Sequence, residues 1–186
     1  GASRGHGSRE GRLGLVRPDY SPARALARAA RRGPGRLSLV DAATGERWTV
    51  SQSFDAVARL AGAFRRRGLG AGTRIALIGA NSAWHFLCHA AASWLHAVTV
   101  PLSPRLPSSA LASMCVRVGV TWAFVDESAS LHARALADAG IRTFPWDDLR
   151  SWTRHDDPIA GEPARCGAEL AAILFTSGST GMPRPV

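Results

Sequence analysis

The residues best suited to chemistry lie in one short stretch near the end of the chain. Residues 176–181 are Thr-Ser-Gly-Ser-Thr-Gly, and the apolar residues 171–175 precede them. An apolar stretch of this length predicts a buried strand, and Pro183 stops regular pairing after the loop. Gly178 and Gly181 allow positive φ, so successive backbone N–H groups can converge on one point, where the hydroxyls add rotatable donors. The stretch therefore predicts a strand followed by an anion-binding loop, with polyphosphate as the expected ligand.

Two other interpretations of this loop deserve comparison. The phosphate loop of the G-x-x-x-x-G-K-[ST] kind is excluded, because no Lys-Ser or Lys-Thr pair follows Gly181. A segment of Ser, Thr and Gly is also typical of a flexible linker, which would bind nothing. The apolar residues before the loop and the α/β pattern upstream favour the binding loop over the linker.

Composition and charge narrow the class of protein. The 186 residues can form one core that buries about 70% of the unfolded surface. All 23 basic residues are Arg and the net charge is +9. Residues 1–36 hold nine Arg against two acids, net +7, whereas residues 37–186 hold fourteen Arg against twelve acids, net +2. The basic segment contains only one aromatic residue, Tyr20, which argues against a nucleic-acid partner.

Cysteine content and hydropathy bear on the compartment. The three cysteines, Cys88, Cys115 and Cys166, are far apart and odd in number, which predicts reduced thiols in a cytoplasmic protein. No apolar stretch is long enough to cross a bilayer, and no signal-peptide core is present at the start. The Arg-rich start resembles a transit peptide only faintly. We therefore expect a cytoplasmic protein with no membrane span.

The N-terminal third predicts a tail, a helix and a hairpin. Residues 1–19 are basic with little to bury, which predicts a disordered tail. Ser21 and Pro22 predict the N-cap and first turn of a helix that ends near residue 32. Its apolar face has a single Leu, so we expect it to dock on the body of the protein and not on a membrane. Residues 37–40 and 47–50 predict a hairpin.

Strands and helices alternate after the hairpin. Ser53 predicts the N-cap of a helix that ends at the Arg triplet of residues 65–67, where the basic residues favour the C-terminal end of the helix dipole, and at Gly68. The next elements are predicted at residues 75–78, 82–95, 97–101, 108–118, 121–125, 130–139 and 141–144. This alternation predicts a mostly parallel sheet flanked by helices, with the short hairpin before it. Residues 145–167 mix Asp with Pro and Gly, which predicts a loop.

Other chemistries find less support in the sequence. His85 and His89 are four residues apart, a spacing that can hold a metal, but no carboxylate stands at a matching position. Asp156 and Asp157 fit a solvated turn better than a metal or acid–base pair. The glycines of residues 68–72 precede a strand instead of following one, contrary to the dinucleotide-binding fingerprint. We therefore expect no metal site in this chain.

The loop also carries a resemblance to a known family. Residues 176–184, Thr-Ser-Gly-Ser-Thr-Gly-Met-Pro-Arg, resemble the phosphate-loop signature of the adenylate-forming superfamily, which includes acyl-CoA synthetases, peptide-synthetase adenylation domains and luciferases. Residues 68–77, 81–82 and 98–107 are similar to the opening half of acyl-CoA synthetases, with Thr73 where the family commonly has Asp. The resemblance covers about residues 20–186, and the wording of residues 101–106 leans toward acyl-CoA synthetases.

Two positions beside the loop differ from the family pattern. The family usually has Lys where Arg184 stands and Gly where Pro185 stands. Arg184 keeps the positive charge and offers a two-pronged donor to phosphate oxygens. Pro185 removes one backbone donor.

The resemblance implies a reaction and a ligand set. A substrate carboxylate attacks the α-phosphorus of MgATP to give an acyl-adenylate and pyrophosphate, and the acyl group usually passes to a thiol such as coenzyme A, as in fatty acid metabolism. The residues that would hold the β- and γ-phosphates, with Arg184 as a countercharge, are Thr176, Ser177, Gly178, Ser179, Thr180 and Gly181. The Mg²⁺ site, the acyl pocket and the catalytic lysine are implied to lie beyond residue 186, so no catalytic residue is assigned here.

These implications predict a fragment. Residues 20–186 are expected to form an incomplete N-terminal AMP-binding domain, an acid–thiol ligase when completed and inactive alone. The alternative is a non-catalytic nucleotide-binding or interaction module derived from the same family. An uncovered sheet edge in such a fragment predicts self-association.

Overall fold

The N-terminal elements match their predictions. The computed structural model describes residues 21–163, 170–176 and 184–186, so the predicted tail of residues 1–19 lies outside the described residues. Helix α1 (Pro22–Arg32) begins after Ser21, whose side chain accepts a hydrogen bond from the Arg24 N–H. Its apolar residues are buried against the body of the protein, as predicted: Ala23, Leu26 and Ala27. Strands β1 (Leu37–Val40) and β2 (Arg47–Thr49) form the predicted antiparallel hairpin.

A four-stranded parallel sheet forms the centre of the fold. Its strand order is β4-β3-β5-β6, and every neighbouring pair is parallel. The sequence-based prediction of a mostly parallel α/β fold is confirmed. The elements after the hairpin are α2 (Val50–Arg66), β3 (Arg74–Ile78), α3 (Ala83–Trp94), β4 (Val98–Leu102), α4 (Ser108–Arg117), β5 (Trp122–Val125), a 3₁₀ helix (Glu127–His132), α5 (Ala133–Asp138), β6 (Arg142–Pro145), α6 (Trp146–His155), β7 (Phe175–Thr176) and β8 (Arg184–Pro185).

The sheet separates two hydrophobic layers because successive side chains of a strand point to opposite faces. On β3, Ile75 and Leu77 contribute to a core with α1, α2, α3 and α6. Ala76 and Ile78 contribute to a second core with α4 and α5. Helices therefore cover both faces, as in doubly wound folds.

Two of the predicted boundaries are wrong. Helix α2 begins at Val50, not after Ser53, because Thr49 and Gln52 form a capping box in which each side chain bonds the other's backbone N–H. Ser53 lies buried inside the helix. The predicted loop of residues 145–167 contains α6, whose Trp146, Leu149 and Trp152 are buried against the core.

Ionic contacts fasten the end of α6 to the end of α2. Asp156 accepts hydrogen bonds from Arg66, at 2.8 Å from Nη2, and forms an ion pair with Arg67 at 3.2 Å. The Arg67 guanidinium also lies 4.1 Å from the centre of the Trp152 ring. Arg67 donates to the Ala63 carbonyl as well, so the predicted capping role is combined with a tertiary contact. Within the described ranges, no helix is long and apolar enough to cross a membrane.

Candidate phosphate-binding site

Two short antiparallel strands hold the ends of the Ser/Thr/Gly loop. Thr176 of β7 faces Arg184 of β8, and Phe175 faces Pro185. Leu174 and Val186 extend the pairing through two backbone hydrogen bonds of 3.1 and 2.7 Å. Thr176 is exposed. Thr176 and Arg184, which flank residues 177–183 in the sequence, are therefore held directly opposite each other.

Most of the predicted phosphate ligands cannot be placed. Ser177, Gly178, Ser179, Thr180 and Gly181 lie outside the described residues, so their role stays a prediction. For the two remaining ligands, Thr176 and Arg184, the structure gives the backbone pairing described above.

Pro185 fits this strand pair because it occupies a position where the two strands exchange no hydrogen bonds. In antiparallel pairs, positions that exchange two hydrogen bonds alternate with positions that exchange none. Leu174 and Val186 exchange both bonds, so the neighbouring pair, Phe175 and Pro185, falls at a position without them. The backbone donor that Pro185 lacks is therefore not required by the pairing.

The strand before the loop is an edge segment and not the buried strand that the apolar sequence predicts. Residues 171–173 run parallel to β4: the Thr99 N–H donates to the Ala171 carbonyl, and the Ile173 N–H donates to the Thr99 carbonyl. Only Ile173 in this segment is buried, whereas Leu174 is 55% exposed. One side chain faces the core and the next faces outward, as expected of an edge strand with one covered face.

One cleft lies at the carboxyl ends of the parallel strands. It has a volume of about 630 Å³ and is lined by the segments that follow β3 and β4 and by Ser128 after β5. In open α/β sheets this end of the strands is the usual position of a ligand crevice. The polar lining residues are Asn81, His85, Ser103, Arg105 and Ser128.

Asp126 holds together two of the segments around this cleft. Its Oδ2 accepts a 2.6 Å hydrogen bond from the Ala80 N–H, and its Oδ1 accepts from Ser128 and Ala129. A Cβ at Gly79 would lie 2.6 Å from the Asp126 Cγ, so glycine is needed there for the close approach. Local sequence pattern does not mark Asp126 as a residue of this cleft, because its partner on the β3 side, Ala80, is far away in the sequence.

His132 fixes the segment that follows β4, which also borders this cleft. Its ring is buried, with Nδ1 2.7 Å from the Ser108 hydroxyl and Nε2 2.9 Å from the Pro104 carbonyl. A carbonyl oxygen can only accept, so Nε2 carries a proton and donates. The contact ties the segment after β4 to the 3₁₀ helix.

A second cleft adjoins the first and borders the segment before β7. It has a volume of about 450 Å³, shares Asn81, His85 and Pro101 with the larger cleft, and reaches Ala172 and Leu174. The two clefts are therefore neighbours, and the second also borders the segment that precedes β7.

The two histidines of α3 line this second cleft. The His89 Nδ1 lies 2.7 Å from the Thr99 hydroxyl, and the His85 ring packs edge-on against Trp146. Burial lowers the pKa of both histidines, and the proximity of His89 lowers that of His85 further, which favours neutral rings at neutral pH. In the part of the chain that the structure describes, no three metal-ligating side chains come together, so this pair lacks the further ligands of a metal centre.

The described thiols are unsuited to nucleophilic catalysis. Cys88 and Cys115 are both buried and unpaired. Burial raises the pKa of Cys88 strongly and that of Cys115 to about 12. Both thiols therefore stay protonated at neutral pH, and the thiolate that would react is absent.

The fold defines the class of protein: an α/β domain whose parallel sheet is covered by helices on both faces. The chain belongs to the AMP-binding enzyme family, whose model matches residues 26–186. It is 28% identical over 165 residues to a 2-succinylbenzoate–CoA ligase of Listeria innocua, covering 87% of this chain and 32% of that protein.

Solved structures agree with the family. The N-terminal domain of FACL13 from Mycobacterium tuberculosis is 25% identical with a TM-score of 0.80, over 89% of this chain and 43% of that one. ATP-bound MatB from Rhodopseudomonas palustris is 25% identical with a TM-score of 0.73, over 88% of this chain and 34% of that one. The chain thus spans about a third of the length of the CoA ligases that it matches, the Listeria innocua protein and a probable CoA ligase of Humulus lupulus.

Proposed function

We propose that this chain supplies the phosphate-binding part of an ATP-dependent enzyme that activates carboxylic acids. The observation that carries the proposal is the β7–β8 pair, in which Thr176, the first residue of the predicted loop, lies opposite Arg184. The family match and the ATP-bound relative support ATP as the nucleotide. The reaction is attack of a substrate carboxylate on the α-phosphorus, which gives an acyl-adenylate and pyrophosphate.

The task of the loop in this reaction is electrostatic. Charge builds on the leaving pyrophosphate, and preorganised backbone N–H groups and hydroxyls stabilise it without a base. Arg184 opposes the same charge with a guanidinium that can make two parallel hydrogen bonds. Mg²⁺, which balances phosphate charge in such reactions, is proposed to bind to residues beyond this chain.

The acceptor of the acyl group is proposed to be the thiol of coenzyme A. The CoA ligase among the relatives supports an acid–thiol ligase. By the same proposal, the 186 residues alone do not complete the reaction. A competing proposal is a non-catalytic nucleotide-binding module, which is motivated by the departures from the family pattern at Arg184 and Pro185. Pro185 gives this alternative little support, because the strand pairing accommodates a proline at that position.

Phosphate binding is tested by calorimetry with inorganic tripolyphosphate and with MgATP. Arg184→Ala should weaken binding of either ligand about 10- to 100-fold, the size of a lost charge-assisted hydrogen bond, and Arg184→Lys should retain more of it. Arg134→Ala is the matched control, because the Arg134 side chain is 93% exposed on α5. Equal affinities for the Arg184 and Arg134 variants would refute the assignment of the loop.

Catalysis is tested separately by pyrophosphate exchange into ATP with a panel of fatty and aromatic acids. The 186-residue chain should give no exchange above background. Robust exchange would overturn the proposed incompleteness while leaving phosphate binding intact. A longer chain with an unbroken C-terminal portion that still binds no ATP would instead favour the non-catalytic module.

A further inference from the structure

One residue of β4, Thr99, holds the edge segment, residues 171–173, that leads toward the predicted loop. Its N–H donates to the Ala171 carbonyl and its carbonyl accepts from the Ile173 N–H, at 3.2 and 2.9 Å. Among the described residues, these are the backbone hydrogen bonds that join the edge segment to the main sheet. Thr176, the first residue of the loop motif, follows Ile173 by three positions. The placement of Thr99 therefore affects where the chain enters the loop.

The side chain of Thr99 is fixed by a histidine of α3. Thr99 is fully buried, and its hydroxyl lies 2.7 Å from the His89 Nδ1. The alternation of β4 directs Val98 and Val100 into the core with α4, and it directs Thr99 to the opposite face, where α3 packs. A buried hydroxyl that loses its partner is costly, so the bond to His89 anchors this side chain.

The contact selects one protonation state of His89. The Thr99 hydroxyl uses its own proton in this bond if the neutral ring accepts at Nδ1 and carries its proton on Nε2. A cationic ring has a proton on Nδ1 as well, so the hydroxyl would have to accept, and its buried proton would lose its acceptor. The neutral ring of His89 therefore holds Thr99 better than the cation does.

The surroundings of His89 also favour the neutral ring. His89 and His85, one helical turn apart, border the same cleft as Ala172 of the edge segment. Burial lowers the pKa of His89, and burial together with the neighbouring His89 lowers that of His85, which the charge of Asp126 at the end of β5 opposes. A charge on His89 requires hydration, which would place water beside Ala172.

We propose that His89 is a positioning residue, which holds the edge segment in place through Thr99. The importance of that placement for the loop rests on the phosphate-binding function proposed above. In this role His89 touches no ligand and acts through the hydroxyl and the two backbone bonds of Thr99. Because the fold favours the neutral ring, the link is strongest above the ordinary histidine pKa of about 6.5 and weakens as the pH falls below it.

Amide hydrogen exchange, followed by NMR, tests the link without any ligand. The Ile173 amide reports the bond to Thr99, and the Asp126 amide, which bonds to the Ile78 carbonyl of the central strand, reports wider opening of the fold. His89→Leu removes the acceptor and should lower the protection of the Ile173 amide about three- to tenfold, with a smaller change at Asp126. His89→Asn returns an acceptor oxygen close to the position of Nδ1 and should restore the protection.

The pH profile separates this role from packing alone. Protection of the wild-type Ile173 amide, corrected for intrinsic exchange, should fall by up to about tenfold per pH unit below about pH 6.5. The fall should be less steep in His89→Asn, because asparagine takes up no proton. His155→Asn is the matched control and should follow the wild type, since His155 is exposed in the last turn of α6.

Calorimetry with inorganic tripolyphosphate near neutral pH tests the consequence for the loop. His89→Leu should weaken binding about three- to tenfold, the effect of one neutral hydrogen bond. His89→Asn and His155→Asn should bind within about twofold of the wild type.

Far-UV circular dichroism identifies any variant that fails to fold, and Thr99→Val, which removes the hydroxyl and keeps the branched shape, then replaces His89→Leu. Equal losses of protection at Ile173 and Asp126, or a pH profile that His89→Asn leaves unchanged, would overturn the proposal. So would equal tripolyphosphate affinities of the wild type and His89→Leu. A wild-type chain that binds no tripolyphosphate would refute the proposed function instead, and hydrogen exchange would still decide whether His89 holds the edge segment.

Discussion

The buried carboxylate of Asp41 should contribute strongly to stability, and Asp41→Asn tests this. Its Oδ1 accepts hydrogen bonds from the N–H groups of Ala43 and Thr44, and its Oδ2 accepts a 3.0 Å bond from the Ala83 N–H. Ala83 is the first residue of α3, so one carboxylate joins the β1–β2 hairpin to the start of a core helix. A carboxylate at a helix N-terminus also interacts favourably with the helix dipole.

The expected loss follows from the arrangement of donors. An asparagine has one acceptor oxygen, so if that oxygen serves the turn at Ala43 and Thr44, its NH₂ group faces the Ala83 N–H, donor against donor. A lost bond to a charged group together with an unsatisfied buried N–H costs about 2 to 3 kcal/mol. For a domain of this size the melting temperature should fall by about 4 to 12 °C.

The pH dependence gives a second, independent test. Hydrogen bonds from Ala83 and Thr44 hold the pKa of Asp41 below the usual aspartate value. A carboxylate with a lowered folded-state pKa stabilises the fold above its unfolded-state pKa of about 4, and this contribution is lost as the pH falls through the folded-state value. The difference in unfolding free energy between wild type and Asp41→Asn should therefore shrink below about pH 4.

Urea denaturation from neutral to acid pH measures both effects. Asp55→Asn is the control, because the Asp55 side chain is 58% exposed and its ion pair is with Arg59, four residues on in the same helix. Such a surface pair contributes less than about 1 kcal/mol. If Asp41→Asn and Asp55→Asn lose the same stability at pH 7, or if the Asp41→Asn difference is independent of pH, then the assigned role of the carboxylate is wrong.

Three further substitutions or modifications have expected outcomes. His96 has φ +55°, so His96→Gly should raise the unfolding free energy in urea by about 0.5 to 1 kcal/mol; a loss would mean that its side-chain contacts outweigh the strain. Gly79→Ala should cost about 1 to 3 kcal/mol by displacing the Asp126 carboxylate, and a double-mutant cycle with Asp126→Ala should show a smaller cost. Because burial raises the pKa of Cys88 and Cys115, a thiol reagent at pH 8 should label at most one of the three cysteines until the protein is unfolded.

The alternation of strands and helices was predictable because it depends on local periodicity. The missed start of α2 was also local: Gln52 follows Thr49 by three residues, the spacing of a capping box, and outweighs Ser53 as an isolated cap candidate. Helix α6 has its buried residues at intervals of three, Trp146, Leu149 and Trp152, with acids in its first turn and basic residues in its last. The Asp, Pro and Gly content of the surrounding residues concealed that pattern.

The contacts that shape the cleft were not predictable from spacing. Asp126 bonds Ala80 across 46 positions of sequence, and Asp41 bonds Ala83 across 42. Each aspartate is also a sound turn residue for its own neighbours, and nothing local distinguishes that role from the tertiary one. Only the sheet order, which places β5 directly beside β3, brings Asp126 to the segment after β3.

The β7–β8 pair places the two residues that depart from the family pattern, Arg184 and Pro185, in different settings. Resemblance to the family indicates Gly where Pro185 stands, and the β7–β8 ladder does not use a backbone donor at this position. The proline therefore alters chain flexibility beside the loop without breaking the pairing that holds it. Arg184 is directly opposite Thr176, the first residue of the loop motif, and differs from the family residue in the shape of its cation. The strand pairing therefore gives no reason to expect a defect from Pro185, and in the proposed phosphate site the difference to test is the guanidinium of Arg184.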